Sequence, residues 1–270
     1  MDVQVLRDLE QTITKDIPKF SVRFKDESPW MKVLGFLSYP FNPKFMTSFS
    51  TTLGSTVYFP TRAFYEQNVD RSVRVLTHEY MHLWDKKQHT LFDLSYLFPQ
   101  ILGVIPLLVF GVLAWPHTWL LLVPLVGYML AAWIARKSQL VCVILLALVM
   151  LGTLVGAVWL TRWSSLAFVA GLLCLAPWPS PGRTKWELRG YTMSVAVGLW
   201  LYGAFPPDTR EAIVRNFIGP NYYFMWWFRS RIDTALDESA TLAQALSLQG
   251  CSPPYATVYD FLYQHSLLRR

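Results

Sequence analysis

Charge is what this chain has least of. Asp, Glu, Lys and Arg make up 16% of its 270 residues, against about a quarter in an ordinary soluble domain. The hydrophobic share is 53%, and that balance favours a membrane protein. The net charge of +6 is accounted for by Lys and Arg flanking apolar spans. No basic-aromatic binding motif is present, so no nucleic-acid partner is expected. Cysteine is also scarce. Cys142, Cys174 and Cys251 form no C-x-x-C pair, so neither a disulfide framework nor a thiolate metal site is suggested. The N-terminus lacks a basic stretch followed by an apolar run, and no cleaved signal peptide is expected. Internal repeats and low-complexity tails are missing too. Aromatics, by contrast, are plentiful: twelve Trp and thirteen Tyr, side chains that collect at membrane interfaces.

Three segments follow from the composition. Residues 1–96 read as a soluble-type segment of short elements. Leu6, Leu9 and Ile13 fall at helical spacing, and Phe20, Val22 and Phe24 alternate as a strand. Ser28-Pro29 opens a helix that Pro40 ends. Phe45–Thr52 and Ser55–Phe59 read as two strands about a turn at Gly54. Residues 97–179 carry Arg136, Lys137 and Arg162 as their only charges. They divide into four apolar runs, Phe98–Trp115, Trp119–Ala135, Leu140–Leu160 and Leu166–Trp178, near the length of membrane spans. Lys86, Lys87, Arg136, Lys137, Arg183 and Lys185 all fall on one side of those spans, which the positive-inside rule makes cytoplasmic. Residues 180–270 return to mixed composition, with helices over Trp186–Phe205, from a capping box at Asp208 and Glu211 to near Gly219, within Asn221–Leu248, and over Tyr255–Leu268. The fold expected is a mostly α membrane protein. About four transmembrane helices are inserted between the two halves of a small α+β, zincin-like domain, with the lipid bilayer as a partner.

The chemistry concentrates in Leu76-Thr77-His78-Glu79-Tyr80-Met81-His82. Asp70 offers an N-cap, and no Pro or Gly interrupts the stretch to Gln88. Val73, Leu76, Tyr80, Leu83 and Trp84 make an apolar stripe, with His78 and His82 on its flank. Two imidazoles four residues apart on a helix can hold one Zn²⁺, with Glu79 beside them as general base. A catalytic zinc takes a third protein ligand. His89 is one residue too late for the extended histidine pattern. Asp237 and Glu238 lie on a later helix, and Glu187 opens the helix that follows the apolar region. Glu187 is preferred, with Glu238 the alternative.

In His78-Glu79-x-x-His82 and Glu187-x-x-Gly190 the chain resembles the gluzincin metallopeptidases, where a Glu from a later helix completes the site and a small residue three positions on lets the helices approach. With spans between the two helices it is similar to a membrane-bound class of these peptidases, which carries an Asp where this chain has Tyr191. The resemblance implies His78, His82 and Glu187 as zinc ligands and Glu79 as the base in hydrolysis of a peptide or protein substrate. Tyr191 is a candidate donor to a ligand or an oxyanion, Asp85 a candidate partner for a ligand imidazole, and Thr56–Phe59 a candidate edge for substrate pairing. Two function classes follow: a membrane-embedded zinc endopeptidase acting near the cytoplasmic face, and a non-catalytic membrane protein with a structural or sensory metal site.

Overall fold

The computed structural model describes residues 1–39, 42–113, 115, 119, 122–134, 139–161, 164–175, 178–219, 225–249 and 252–268. The N-terminal segment forms as its periodicity dictates. Helix α1 (Val3–Asp16) buries Leu6, Leu9 and Ile13. Strand β1 (Ser21–Phe24) and helix α2 (Pro29–Ser38) follow, the latter capped by Ser28 through the Met31 N–H. Strands β2 (Thr51–Leu53) and β3 (Thr56–Phe59) flank a turn in which Gly54 takes φ +65°. A Cβ is disfavoured there, which is why glycine occupies the turn.

The strand expected over Phe45–Thr52 shrinks to Thr51–Leu53. Much of the stretch before it is a series of turns, with Phe45, Thr47 and Ser48 N–H bonded to carbonyls three or four residues back. Sheet order is β1-β3-β2, with β1 parallel and β2 antiparallel to β3. Thr56–Phe59 is therefore the central strand, its backbone consumed on both sides. It cannot be the pairing edge, and β2 can.

Helix α3 (Arg62–Glu66) leads to α4 (Val69–Gln88), which carries the motif. Its N-cap is Asn68, whose side chain accepts from Arg71 N–H, and Asp70 instead supplies negative charge in the first turn. Val73, Leu76 and Tyr80 are wholly buried in a core shared with α1, β3 and the C-terminal helices. Helix α5 (Phe92–Leu97) and a 3₁₀ turn at Gln100–Gly103 then lead into the apolar region.

That region forms α6 (Val104–Leu113), α7 (Leu122–Ile134), α8 (Gln139–Thr161) and α9 (Ser164–Leu175). Here the expectation of a multi-pass membrane protein is corrected: among the described residues no helix is long and apolar enough to cross a membrane. A span needs about 20 apolar residues at 1.5 Å each. Helices α6, α7 and α9 have 10, 13 and 12 residues. Helix α8 has 23, and it too does not qualify as a span among the described residues. The four-span fold, the cytoplasmic orientation and the bilayer placement fall with that finding. His117, Arg136, Lys137 and Arg162, on which the orientation partly rested, lie outside the described residues. The four helices pack among themselves, α7 on α8, α8 on α9 and α6 on α9, and leave large apolar side chains such as Val112 and Trp159 exposed.

The apolar region closes at its base. Ser180 Oγ donates to Phe98 O at 2.5 Å, and Gln100 Nε2 donates to Trp178 O at 3.3 Å. Helix α10 (Pro181–Tyr202) then runs against α4, the most extensive helix contact among the described residues, and also against α12 and α5. Helix α11 (Pro207–Ile218) begins without a side-chain cap. The expected capping box at Asp208 and Glu211 does not form; Glu211 pairs with Arg215 and Arg229. Helix α12 (Arg229–Gln249) is continuous, and α13 (Tyr255–Gln264) ends the chain's regular structure. Tyr222, Tyr223 and Phe224 lie outside the described residues. A second small core joins α11 to α12 through Val214, Phe217, Ile232 and Leu236.

Candidate metal centre

Helices α4 and α10 set up the site. His78 and His82 leave the same face of α4, and their Nε2 atoms lie 3.0 Å apart. Glu187 sits in the second turn of α10 and points Oε2 at them, 3.5 Å from His78 Nε2 and 3.8 Å from His82 Nε2. The three candidate ligand atoms fall within 4.8 Å of one another. All three residues are buried, at 8%, 7% and 3% exposure. Gly190 makes this approach possible: a Cβ there would lie 2.7 Å from both Cε1 and Nε2 of His78. The Glu187-x-x-Gly190 spacing thus brings the two helices into contact at a ligand.

This group could hold a metal ion. One feature tests the fit: Glu187 Oε2 is buried without a hydrogen-bond partner, although a buried carboxylate oxygen ordinarily finds one. Its companion Oε1 accepts from the Tyr96 hydroxyl of α5. One oxygen is therefore anchored and the other is turned toward the two imidazoles. Burial raises the Glu187 carboxyl, but the two histidines outweigh it and hold it well below the usual carboxylate range. Burial lowers His82, and Glu187, with Glu79 and Asp85 beyond it, outweighs that and raises it. A carboxylate beside two imidazoles is a donor set suited to a divalent cation. Around it, His78 Nδ1 lies 3.5 Å from Ser194 Oγ.

Glu79 stands beside the ligands and lines the same cavity, of about 470 Å³. Ser50 Oγ donates to its Oε1 at 2.5 Å and Thr52 Oγ1 to its Oε2 at 2.6 Å. Thr52 lies on β2 and Ser50 is the residue immediately before that strand. They fix the carboxylate's orientation. Phe45, Phe49, Phe92 and Leu97 give the cavity apolar walls, and Arg183 adds a cation.

Other residues singled out from the sequence lie elsewhere. Glu238 is exposed on α12, where it lines a separate cavity beside α10, and Asp237 pairs with Arg210. His89 caps the end of α4 and meets the Trp186 ring at 5.0 Å. Asp85, 1% exposed, does not serve a ligand imidazole; it accepts from Arg189 Nε through both oxygens, at 3.0 and 2.9 Å. Tyr191 packs edge-on against the His78 ring and accepts from Asn216 Nδ2 at 3.1 Å. Sequence reasoning missed Ser50, Thr52, Tyr96 and Ser194. Each is a single hydroxyl with no spacing signature. Only the position of β2 as an edge strand could have pointed to two of them.

Comparison of this chain with protein-family models, with curated proteins and with solved structures finds no match.

Proposed function

We propose that this protein is a metal-dependent endopeptidase of the gluzincin kind, with zinc on His78, His82 and Glu187 and with Glu79 as general base. The observation that carries the reading is the convergence of three ligand atoms from two helices beside a carboxylate gripped by Ser50 and Thr52, at the start of the edge strand. When bound, the ion would supply Lewis-acid polarisation of the substrate carbonyl and acidify a water molecule.

The chain's own residues divide the remaining work. Glu79 takes the proton of the attacking water and delivers it to the leaving amine, so one carboxylate acts first as base and then as acid. Ser50 and Thr52 hold that carboxylate in the orientation the transfer needs. Tyr96 keeps Glu187 Oε1 occupied, so that Oε2 alone faces the histidines. Among the described residues strand β2 pairs with β3 on one side only, and it borders the cavity through Thr51 and Leu53. An extended peptide can add to its other side by main-chain hydrogen bonds, laying a backbone carbonyl toward the site.

Glu79→Gln tests the reading. The variant should retain stoichiometric zinc and lose peptide hydrolysis by about 10²- to 10⁴-fold, the usual weight of a general base. Hydrolysis at the wild-type rate in Glu79→Gln, or a zinc-loaded wild type inert toward unstructured polypeptides, would sink the proposal in favour of a structural metal site.

A further inference from the structure

Lys25 follows β1 directly and is 0% exposed. Its backbone N–H continues the β1–β3 ladder by donating to Phe59 O at 2.8 Å. Its side chain does something less ordinary. Nζ donates to Phe45 O at 2.8 Å and to Phe49 O at 2.7 Å, and lies 3.7 Å from the centre of the Phe45 ring. Among the described residues no carboxylate comes within ion-pair distance of it. The ammonium is held by two carbonyl dipoles and a ring face, with the Glu79 charge acting from further off. Burial pushes it down to about 7, and Glu79 resists that fall. An ammonium buried without a counter-ion is among the least favourable placements a side chain can take. Ordinary packing supplies no reason for one here.

The reason lies in what the ammonium holds. The stretch 45–49 carries no strand or helix, and its own backbone order is limited to turn hydrogen bonds from Phe45, Thr47 and Ser48 N–H. Lys25 grips its first and last carbonyls. The same stretch contributes Phe45 and Phe49 to the cavity wall. The next residue, Ser50, is the first of the two hydroxyls on Glu79, and Thr52 is the second. A displacement of the stretch is passed to both.

We infer that Lys25 is a positioning residue of the active site, whose ammonium pins residues 45–49 so that Ser50 and Thr52 hold Glu79 and Phe45 and Phe49 stay in the cavity wall. The inference rests on the peptidase reading for its kinetic part and on geometry alone for its structural part. The ligands sit on α4 and α10 and do not touch Lys25, so metal binding is independent of it.

The test compares wild type with Lys25→Met, which keeps most of the apolar stem and removes the donors. Amide hydrogen exchange, zinc affinity and peptide hydrolysis are measured on the zinc-loaded full chain. Exchange over residues 45–52 should accelerate at least about 10-fold with the rest of the fold unchanged. Zinc affinity should be unchanged, and kcat/KM should fall roughly 10- to 100-fold. In a Ser50→Ala, Thr52→Val background, Lys25→Met should add little further loss, because it acts through those hydroxyls. Should Lys25→Met fail to fold, Lys25→Gln takes its place; its amide ends one atom short of the ammonium position and cannot reproduce both bonds, and the same selective loss of protection is expected. Unchanged exchange over 45–52, or acceleration spread evenly over the chain, overturns the inference. Full additivity with the Ser50 and Thr52 changes does so as well. If wild type binds zinc and cleaves nothing, the peptidase reading fails, and the exchange result still decides Lys25.

Discussion

The contact between Gly190 and His78 allows a sharp test, because one methyl group there should separate metal affinity from folding. In Gly190→Ala the new Cβ would sit 2.7 Å from His78 Cε1 and Nε2 and 3.0 Å from Cδ2. Ordinary carbon contacts are about 3.5–4.0 Å, so the ring must retreat by about 1 Å. The backbones cannot easily take up that shift, since α4 and α10 are the most extensively packed helix pair among the described residues. Metal–ligand distances tolerate only about 0.2 Å. Displacing His78 Nε2 by several times that amount should weaken zinc binding about 100-fold or more, near 2.8 kcal/mol at 1.4 kcal/mol per tenfold. Folding faces opposing terms. Ala is favoured over Gly in a helix by about 1 kcal/mol, and overpacking costs about 1–3 kcal/mol, so the metal-free melting temperature should drop by only a few degrees. Competition against a chromophoric chelator gives the affinity, and a thermal melt without metal gives the stability. Wild-type zinc affinity in Gly190→Ala would refute the placement of His78 in the metal centre.

Two further outcomes follow from the surroundings of the site. Tyr96→Phe removes the hydroxyl from Glu187 Oε1 and should weaken zinc binding roughly 10-fold with the melting temperature little changed; unchanged affinity by chelator competition would deny Tyr96 its positioning role. Arg189→Ala strips the 1%-exposed Asp85 of its bidentate partner. A buried carboxylate left alone should cost about 3 kcal/mol, read as a lower urea midpoint. A midpoint equal to wild type would mean that the pair contributes nothing net.

Legibility in the sequence follows the range of the interactions. Helix α4 was legible because its apolar stripe and the i, i+4 histidines are local properties of one element. Glu187 was legible only beside Gly190, since the small residue signals a close neighbour. The hydroxyls of Ser50, Thr52 and Tyr96 and the buried Lys25 were not legible, because what each touches lies tens of residues away. The substrate edge was misassigned for a related reason: strands are read locally, while sheet order is a long-range property that here places β3 in the middle. The apolar region misled through composition. Hydropathy counts apolar residues regardless of how the chain divides them, whereas crossing a membrane depends on unbroken helix length. Runs of nearly spanning size fold into helices of 10, 13 and 12 residues beside a longer one.

The closed base of the apolar region has a topological consequence. Phe98 meets Ser180 and Gln100 meets Trp178, so the chain leaves the α4–α10 framework and re-enters it at one doorway. Gln100 and Trp178 are 78 positions apart, yet closing such a loop costs only about 2 kcal/mol more than closing one a tenth as long, since the entropy grows with the logarithm of length. The metal centre is thus nearly indifferent to how much polypeptide intervenes between its halves. Helices α6 to α9 form a module that could be shortened, exchanged or removed behind a short bridge while His78, His82 and Glu187 still meet.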